Sequence, residues 1–284
     1  MEYFEQFVPH VFFEQIPIKN LVSNQEYQRN ISLSHVRRAA ANFDLYQINP
    51  VKVSRRDGIN YVFNGQHTIE IIAMVSASRE TPVWCMIYDD LEYIHEADIF
   101  ANQLKYTKPL SPYEIFMANV EAGNDKQLII KDLIESYGLK ISGKKTASGV
   151  CAVSTVENIY DKYGFHGLDR TIRLCLGTWE GGNHSLSSNM LNGVARLIST
   201  YEDRMKDDVF KDKVGRFSIK EIGRVAADRH AGSLGYAEAM LLCYNKKMKF
   251  GLQMRELYSG KGRKPDFYED EYIGDLEQGK GLSD

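Results

Sequence analysis

The sequence has no apolar run near the roughly 18–20 residues that a membrane-spanning helix needs, so we expect no membrane partner. Its four cysteines, Cys85, Cys151, Cys175 and Cys243, are scattered and form no Cys-x-x-Cys pair. This scatter argues against a structural zinc site and predicts reduced core thiols in a cytoplasmic protein. Residues 1–6 are acidic and aromatic and lack the basic start of a signal peptide.

The sequence also has little excess charge, since its formal net charge is -3. The last segment, residues 266–284, holds seven acids and one lysine, which places a charge of -6 there and leaves +3 for the rest of the chain. A mildly basic body permits nucleic-acid binding but does not require it. A solvated surface followed by a disordered acidic tail explains the same charges.

The apolar pattern changes character near Pro109. Before it, short β-prone runs near 12–21, 51–54, 59–63 and 82–88 alternate with helical patterns near 35–42 and 66–77, and a third helix is expected to start at Asp89 or Asp90. Asp57-Gly58 suits a hairpin turn. After Pro109 nearly everything is predicted to be helical, starting at the capping signal Ser111-Pro112-Tyr113-Glu114.

These patterns predict an α+β protein, with a small mixed α/β domain followed by an all-helical domain. The expected domains are 1–110 and 111–260, and residues 261–284 form an acidic, disordered tail. Within the helical domain we expect helices near 112–122, 126–137, 151–163, 168–179, 187–204, 218–230 and 235–257.

The most informative motif is the run 61–63 followed by Asn64-Gly65-Gln66-His67-Thr68. A strand that turns through glycine into a helix leaves free backbone N–H groups and a positive dipole end at the turn. That arrangement suits a phosphate or another anion. Here it also carries an amide, an imidazole and a hydroxyl.

Each residue of this turn has a functional and a structural interpretation. Gly65 allows close backbone approach to a phosphate, or is an ordinary turn glycine. His67 donates to phosphate or acts as a general acid or base, since an unperturbed histidine has a pKa of about 6.5; alternatively it is a helix-start residue bonded to backbone. Gln66 would orient a water or a phosphate oxygen. His67 and Gln66 are therefore the catalytic candidates.

Five segments, in order, resemble the N-terminal domain of the ParB/sulfiredoxin superfamily. The turn resembles the D-G-Q-H-R motif of its phage and mobile-element members, and the resemblance spans about residues 12–120. A sulfiredoxin needs cysteine where this chain has Gln66, which argues against sulfinic-acid reductase chemistry. The five segments are Asn24–Arg29, His35–Phe43, Ile48–Val53, Asn64–Thr68 and Lys108–Glu114.

The resemblance implies a ParB-like, DNA-associated regulatory or segregation protein that binds a nucleotide, CTP or ATP with Mg²⁺, and allows a homodimer. The alternative is a metal-assisted ParB-like nuclease or phosphohydrolase, for which Asp89, Asp90 and Glu114 are the available carboxylates. Whether the chain is an enzyme stays open, and no residue is assigned as a metal ligand. The implied cofactor-binding residues are Gln28, Arg29, Gly65, Gln66, His67 and Thr68.

A basic loop in the helical region supplies the candidate nucleic-acid contacts Lys140, Lys144 and Lys145. Its sequence approaches a P-loop, but Lys145 stands where that motif has a hydroxyl. Between two expected helices, the loop could belong to a helix-turn-helix variant that touches a DNA backbone. The other interpretation is a mobile surface loop.

Overall fold

The structure, a computed structural model, describes residues 10–23, 26–146, 148–181 and 184–258. Its contacts divide the chain into two units, Met1–Lys108 and Pro109–Asp284. The first unit combines a five-stranded sheet with helices and the second is helical, so the α+β prediction is confirmed. The predicted tail, 261–284, lies outside the described residues.

The sheet of the first unit is mixed. Its strands run in the order β1-β5-β3-β4-β2. The pairs β1/β5 and β3/β4 are antiparallel, whereas β2/β4 and β3/β5 are parallel. Asp57 and Gly58 join β3 to β4 with φ of 51° and 76°, which confirms the predicted hairpin turn. The strands are β1 (Val11–Pro17), β2 (Leu21–Ser23), β3 (Val51–Arg56), β4 (Ile59–Asn64) and β5 (Pro82–Tyr88).

Among the described residues of the first unit, three α-helices accompany this sheet. The first, α1 (Leu33–Ala41), begins after Ser32, whose hydroxyl accepts a hydrogen bond from the His35 amide, so Ser32 is its N-cap. The second, α2 (Gln66–Ser76), contributes Ile69 to a core formed mainly by β3, β4 and β5. The third, α3 (Tyr93–Asn102), starts after Glu92, and so the predicted start at Asp89 or Asp90 is wrong.

The second unit is built from helices, with one two-residue pair of strands. Ser111 and Glu114 form the predicted capping box at the start of its first helix. The helices are α4 (Pro112–Glu121), α5 (Asp125–Ser136), α6 (Val153–Trp179), α7 (Ser188–Tyr201), α8 (Asp207–Val214), α9 (Ile219–Ala227) and α10 (Ser233–Asn245). The strands β6 (Lys140–Ile141) and β7 (Gly149–Val150) pair in parallel.

Two predicted helices are shorter than expected. The helix near 187–204 ends at Tyr201, and the one near 235–257 ends at Asn245, just before Lys247 with its positive φ of 58°. A separate 3-10 turn, Met254–Tyr258, follows. The short helix α8 was not predicted, because only Phe210 and Val214 give it a buried face.

The cysteines divide into two groups. Cys85 and Cys175 are buried and confirm the expected core thiols, whereas Cys151 is exposed and Cys243 half-buried. Cys151 is exposed because it lies in the turn before α6 rather than on a packed face. All four thiols are free. Within the described parts of the chain, no helix combines the length and apolar character that crossing a membrane requires.

Gly164 interrupts α6 with φ 69° and ψ -174°, a backbone conformation that is essentially restricted to glycine. We therefore expect Gly164→Ala to lower the free energy of unfolding by about 1–3 kcal/mol, measured by urea denaturation. Gly177→Ala, in a regular turn of the same helix, is the control and should be neutral or stabilising, because alanine is the better helix former. Equal values for the two variants would contradict this expectation.

Candidate functional site

The start of α2 is shaped by Gly65. Its φ of 103° is a left-handed conformation that side-chain-bearing residues rarely adopt. A Cβ at this position would lie 3.2 Å from Val51 Cα and 3.3 Å from Val51 Cγ2. Gly65 therefore lets the chain pass from β4 into α2 within one residue while it packs directly on β3.

The first turn of α2 offers backbone donors. The first helical bond runs from the Ile69 amide to the Gly65 carbonyl, 3.1 Å. The N-cap residue, Gly65, has no side chain to cap this end, and the first turn contains no acid. The backbone N–H groups of Gln66, His67 and Thr68 therefore have no acceptor within the helix and lie at its positive end, as the sequence predicted.

The segment 26–29 lies against this turn. Gln28 Nε2 donates to the Val62 carbonyl on β4. Gln66 Nε2 donates to the Arg29 carbonyl at 2.6 Å. The structure thus brings together two segments that lie far apart in the sequence and that were both predicted to contribute to the site.

Both glutamines are almost fully buried, with exposures of 6% for Gln28 and 5% for Gln66. Because their Nε2 groups face carbonyl oxygens, the orientation of each amide is fixed. The Oε1 atoms are then left buried with no hydrogen-bond partner among the described residues. Leaving a buried acceptor unsatisfied costs about 1–3 kcal/mol. The site thus contains two unpaired acceptors, one on Gln28 and one on Gln66, in addition to the amide donors of the turn.

His67 is the second residue of α2, and its side chain contacts the start of α1. Its Nε2 accepts a hydrogen bond from the Ser32 amide at 3.2 Å. Its ring meets that of His35 edge-on, with centroids 5.5 Å apart. Burial, the positive charge of Arg29 and the nearby His35 lower the pKa of His67, which favours the neutral imidazole. The predicted backbone bond of His67 is therefore present, and His35 is a neighbour that the sequence analysis did not assign to the site.

The arginines of the first unit fall into two groups. Three of them pair with carboxylates: Arg55 with Glu14, Arg56 with Glu96 and Arg79 with Glu70. The side chains of the other three have no hydrogen bond or ion pair with a described residue, and all three are exposed: Arg29, Arg37 and Arg38.

Helical geometry separates the two arginines of α1. Its buried face is centred on Val36. At 3.6 residues per turn, Arg38 lies about 60° from His35 around the helix, and Arg37 lies about 160° from it. Arg38 therefore shares the side of α1 that meets His67, while Arg37 does not.

Of the two interpretations of the basic loop, the structure rules out the helix-turn-helix variant. Lys140 is in β6, and Lys144 and Lys145 are exposed in the connection to β7. This connection joins α5 to α6 through two paired strands, so the short turn of a helix-turn-helix is absent there and that expectation is wrong. The next helix does not begin until Val153, which also separates the loop from a P-loop context.

The carboxylates named for a nuclease have other surroundings. Asp89 and Asp90 are exposed after β5, and the Glu114 carboxylate accepts the Ser111 amide at 2.7 Å. Among the described residues no group of three or more His, Cys, Asp or Glu side chains could hold a metal ion. The turn itself offers amides, an imidazole and a guanidinium, which do not match the oxygen ligands that Mg²⁺ prefers.

A cavity of about 820 Å³ lies in the second unit. Among the described residues that line it, the one lysine or arginine is Lys220. The turn remains the better candidate site, because only there do several predicted residues converge with perturbed electrostatics. The cavity is lined by Trp179, His184, Ser187, Asn189, Ser218, Ile219, Lys220, Gly223 and Tyr236.

Comparison with known proteins gives a family model and a distant likeness to solved structures. A family model described as "Family of unknown function (DUF6551)" matches residues 22–264. No curated protein matches. The C-terminally truncated chromosome-partitioning protein ParB from Caulobacter crescentus, complexed with CTP-gamma-S, is similar at 13% identity and a TM-score of 0.35, over 81% of this chain and 98% of that one. At these values the likeness carries no argument about function.

The charge of Arg29 should be measurable through His67. We expect Arg29→Gln to raise the pKa of His67 towards its ordinary value, since one cause of its lowering is removed. Arg37→Gln, which removes the same charge from the other side of α1, should leave the pKa of His67 unchanged. Histidine ring NMR across a pH titration measures both. Equal shifts in the two variants would contradict a specific effect of Arg29.

The same pKa has a consequence for stability. Because His67 binds a proton more weakly in the folded protein, the unfolded chain takes up more protons as the pH falls through about 6.5. The contribution of His67 to stability therefore decreases as the pH falls through that value, and it should decrease less in Arg29→Gln.

Proposed function

We propose, for a chain that belongs to the DUF6551 family, that the turn Gly65–Thr68 binds the phosphate of a nucleotide. We further propose that the protein is a ParB-like, DNA-associated regulator or segregation protein. One observation supports the first part above the others. The Gln28–Arg29 segment is hydrogen-bonded to the start of α2, so the backbone of Arg29 lies beside an acid-free helix end, and the charge of its exposed side chain acts on His67.

The charges around the turn favour an anion. The helix end carries a partial positive charge, and Arg29 adds a full one. Arg38 and His35 lie on the side of α1 that meets His67. The helix α1 contains no acid, so no carboxylate on it competes for Arg38. A phosphate at the turn would receive backbone donors and a guanidinium together.

The roles of the two glutamines follow from their contacts. Gln66 is buried and uses its Nε2 to hold Arg29, so we assign it to positioning rather than to activation of a water. The Oε1 atoms of Gln28 and Gln66 are buried, so we assign both side chains to holding the segment 26–29 rather than to direct ligand contact. We assign His67 and Thr68 to phosphate contact.

The resemblance in sequence to ParB-like proteins makes CTP and ATP the first nucleotides to test. Isothermal titration with CTP, ATP and GTP, with and without Mg²⁺, should give saturable heat for at least one of them. Arg29→Gln should weaken that binding about tenfold or more, because a charged hydrogen bond contributes about 1.5–3 kcal/mol. Arg37→Gln, the matched loss of charge, should bind as the wild type does.

Absence of heat with all three nucleotides, in both the presence and the absence of Mg²⁺, would contradict nucleotide binding. Equal weakening by both arginine variants would show that only overall charge matters. Gly65→Ala is a further variant, in which a side chain at φ 103° would press on Val51 and displace the turn.

DNA contact is proposed for the basic loop, defined here as Lys140, Lys144 and Lys145. These side chains are exposed, as a contact to phosphates requires. Binding to duplex DNA should weaken with salt, and replacing all three by alanine should reduce the slope of log K against log salt by up to about three, roughly one for each lysine that contacts a phosphate.

A matched variant replaces Lys162, Lys206 and Lys220, three other exposed lysines of the same unit. It should keep the wild-type slope. If wild-type protein gives no complex in a low-salt mobility shift, or if both triple variants lose the same slope, the basic loop is not a DNA-binding site.

A further inference from the structure

The segment 26–29, which carries Arg29 to the turn, has no helix or strand of its own. Its conformation is therefore fixed by side-chain contacts. Gln28 and Arg29 are bonded to β4 and α2, as described above. At the other end, Tyr93 on α3 donates its hydroxyl to Glu26 at 2.6 Å. The remaining residue, Tyr27, is held by a hydrogen bond to a buried carboxylate.

Tyr27 donates its hydroxyl to Glu96 Oε2 at 3.2 Å. Glu96 lies on α3 and is 0% exposed. Its other oxygen, Oε1, accepts from Arg56 Nε at 2.7 Å. The Arg56 guanidinium in turn stacks on the ring of Tyr61 at 4.3 Å. One buried carboxylate therefore joins α3, the end of β3 and the segment 26–29.

Holding three segments together through a buried carboxylate has a large cost in desolvation free energy. Desolvating it costs several kcal/mol, and apolar residues of similar size often stabilise a fold at least as well. What a carboxylate adds is direction, because its oxygens accept only along defined lines. The ring of Tyr27 already packs on Tyr93 and Phe100, with centroids 5.7 Å and 5.6 Å apart, but ring packing tolerates sliding.

The bond to Glu96 removes that freedom. It fixes the Tyr27 hydroxyl, and so fixes the backbone immediately before Gln28 and Arg29. Burial, followed by the Glu96 charge, raises the pKa of Tyr27 to about 12, so the phenol remains a donor throughout the physiological range. Arg56 supplies a charged partner for the other oxygen of the buried Glu96 carboxylate.

We propose that Glu96 is a positioning residue of the candidate site, acting through the Tyr27 hydroxyl to hold Gln28 and Arg29 against the start of α2. It does not touch the proposed ligand. The part of this inference that concerns ligand affinity rests on the proposed function. The part that concerns the placement of Arg29 does not, because it is testable in the free protein.

Tyr27→Phe is the test, because it keeps the ring packing and removes only the hydroxyl. We expect the Arg29 charge to lie further from His67 on average, so the pKa of His67, followed by ring NMR in the free protein, should rise towards its ordinary value. Affinity for the nucleotide that binds the wild type should fall about three- to tenfold, as for the loss of one hydrogen bond. Glu96→Gln should shift both quantities in the same direction.

Tyr88→Phe is the control. Tyr88 lies on β5, and among the described residues its hydroxyl has one hydrogen-bond partner, Met86 Sδ at 3.6 Å. This variant should leave the His67 pKa and the affinity unchanged, whatever its effect on melting temperature. If Glu96→Gln does not fold, Tyr27→Phe decides the matter alone.

The outcomes distinguish the positioning role of Glu96 from the proposed nucleotide binding. A Tyr27→Phe protein whose His67 pKa equals that of the wild type overturns the positioning role, even if its stability is reduced. A raised His67 pKa supports the role, even when the wild type binds no nucleotide, in which case only the proposed function fails. A shift of the same size in Tyr88→Phe would overturn it, because the effect would then be general loosening.

Discussion

The hydrogen bond from Gln66 Nε2 to the Arg29 carbonyl is the contact on which the candidate site depends. It joins a segment without secondary structure to the first residue of α2, and it is made by a side chain that is 5% exposed. Gly65 makes the bond geometrically available, because it turns the chain into α2 while packed on Val51. Without the Gln66 hydrogen bond and the Gly65 turn, the exposed side chain of Arg29 would have no fixed place beside α2.

Two kinds of polar burial support the first unit. At the turn, the glutamine amides fix the backbone but leave their Oε1 atoms unpaired. On the other side of the same segment, Glu96 has donors for both of its oxygens. A fully satisfied network makes its surroundings rigid, whereas unpaired acceptors mark a place that can still accept a donor. The fully paired carboxylate of Glu96 thus contacts this segment at Tyr27, whereas the unpaired glutamine oxygens belong to Gln28 and to Gln66 beside Arg29.

How much the sequence could predict depended on the distance between partners. The Gly65 turn and the Ser111-Glu114 capping box are signalled by adjacent residues, and both were predicted correctly. Gln28 and Arg29 were placed near the turn only through resemblance to a superfamily, since their partners lie far along the chain. Glu96 was not predicted at all, because a single acid on an amphipathic helix has the pattern of a solvated face.

The errors have similar causes. A helix-turn-helix was considered around Lys144 because flanking apolar patterns do not reveal two-residue strands such as β6 and β7. The end of α10 was missed because the residues after Asn245 keep an apolar content that would suit another turn of helix. In each case the deciding contact was tertiary and left no local mark.

The hydrogen bond from the Ser32 amide to His67 determines which tautomer of the imidazole is present. Because Nε2 accepts a hydrogen bond from the backbone, the hydrogen of the neutral ring must be on Nδ1. Acidification would add a hydrogen at Nε2, where it would face the Ser32 N–H donor to donor. Proton uptake by His67 would therefore weaken the contact between the start of α2 and Ser32, the N-cap of α1.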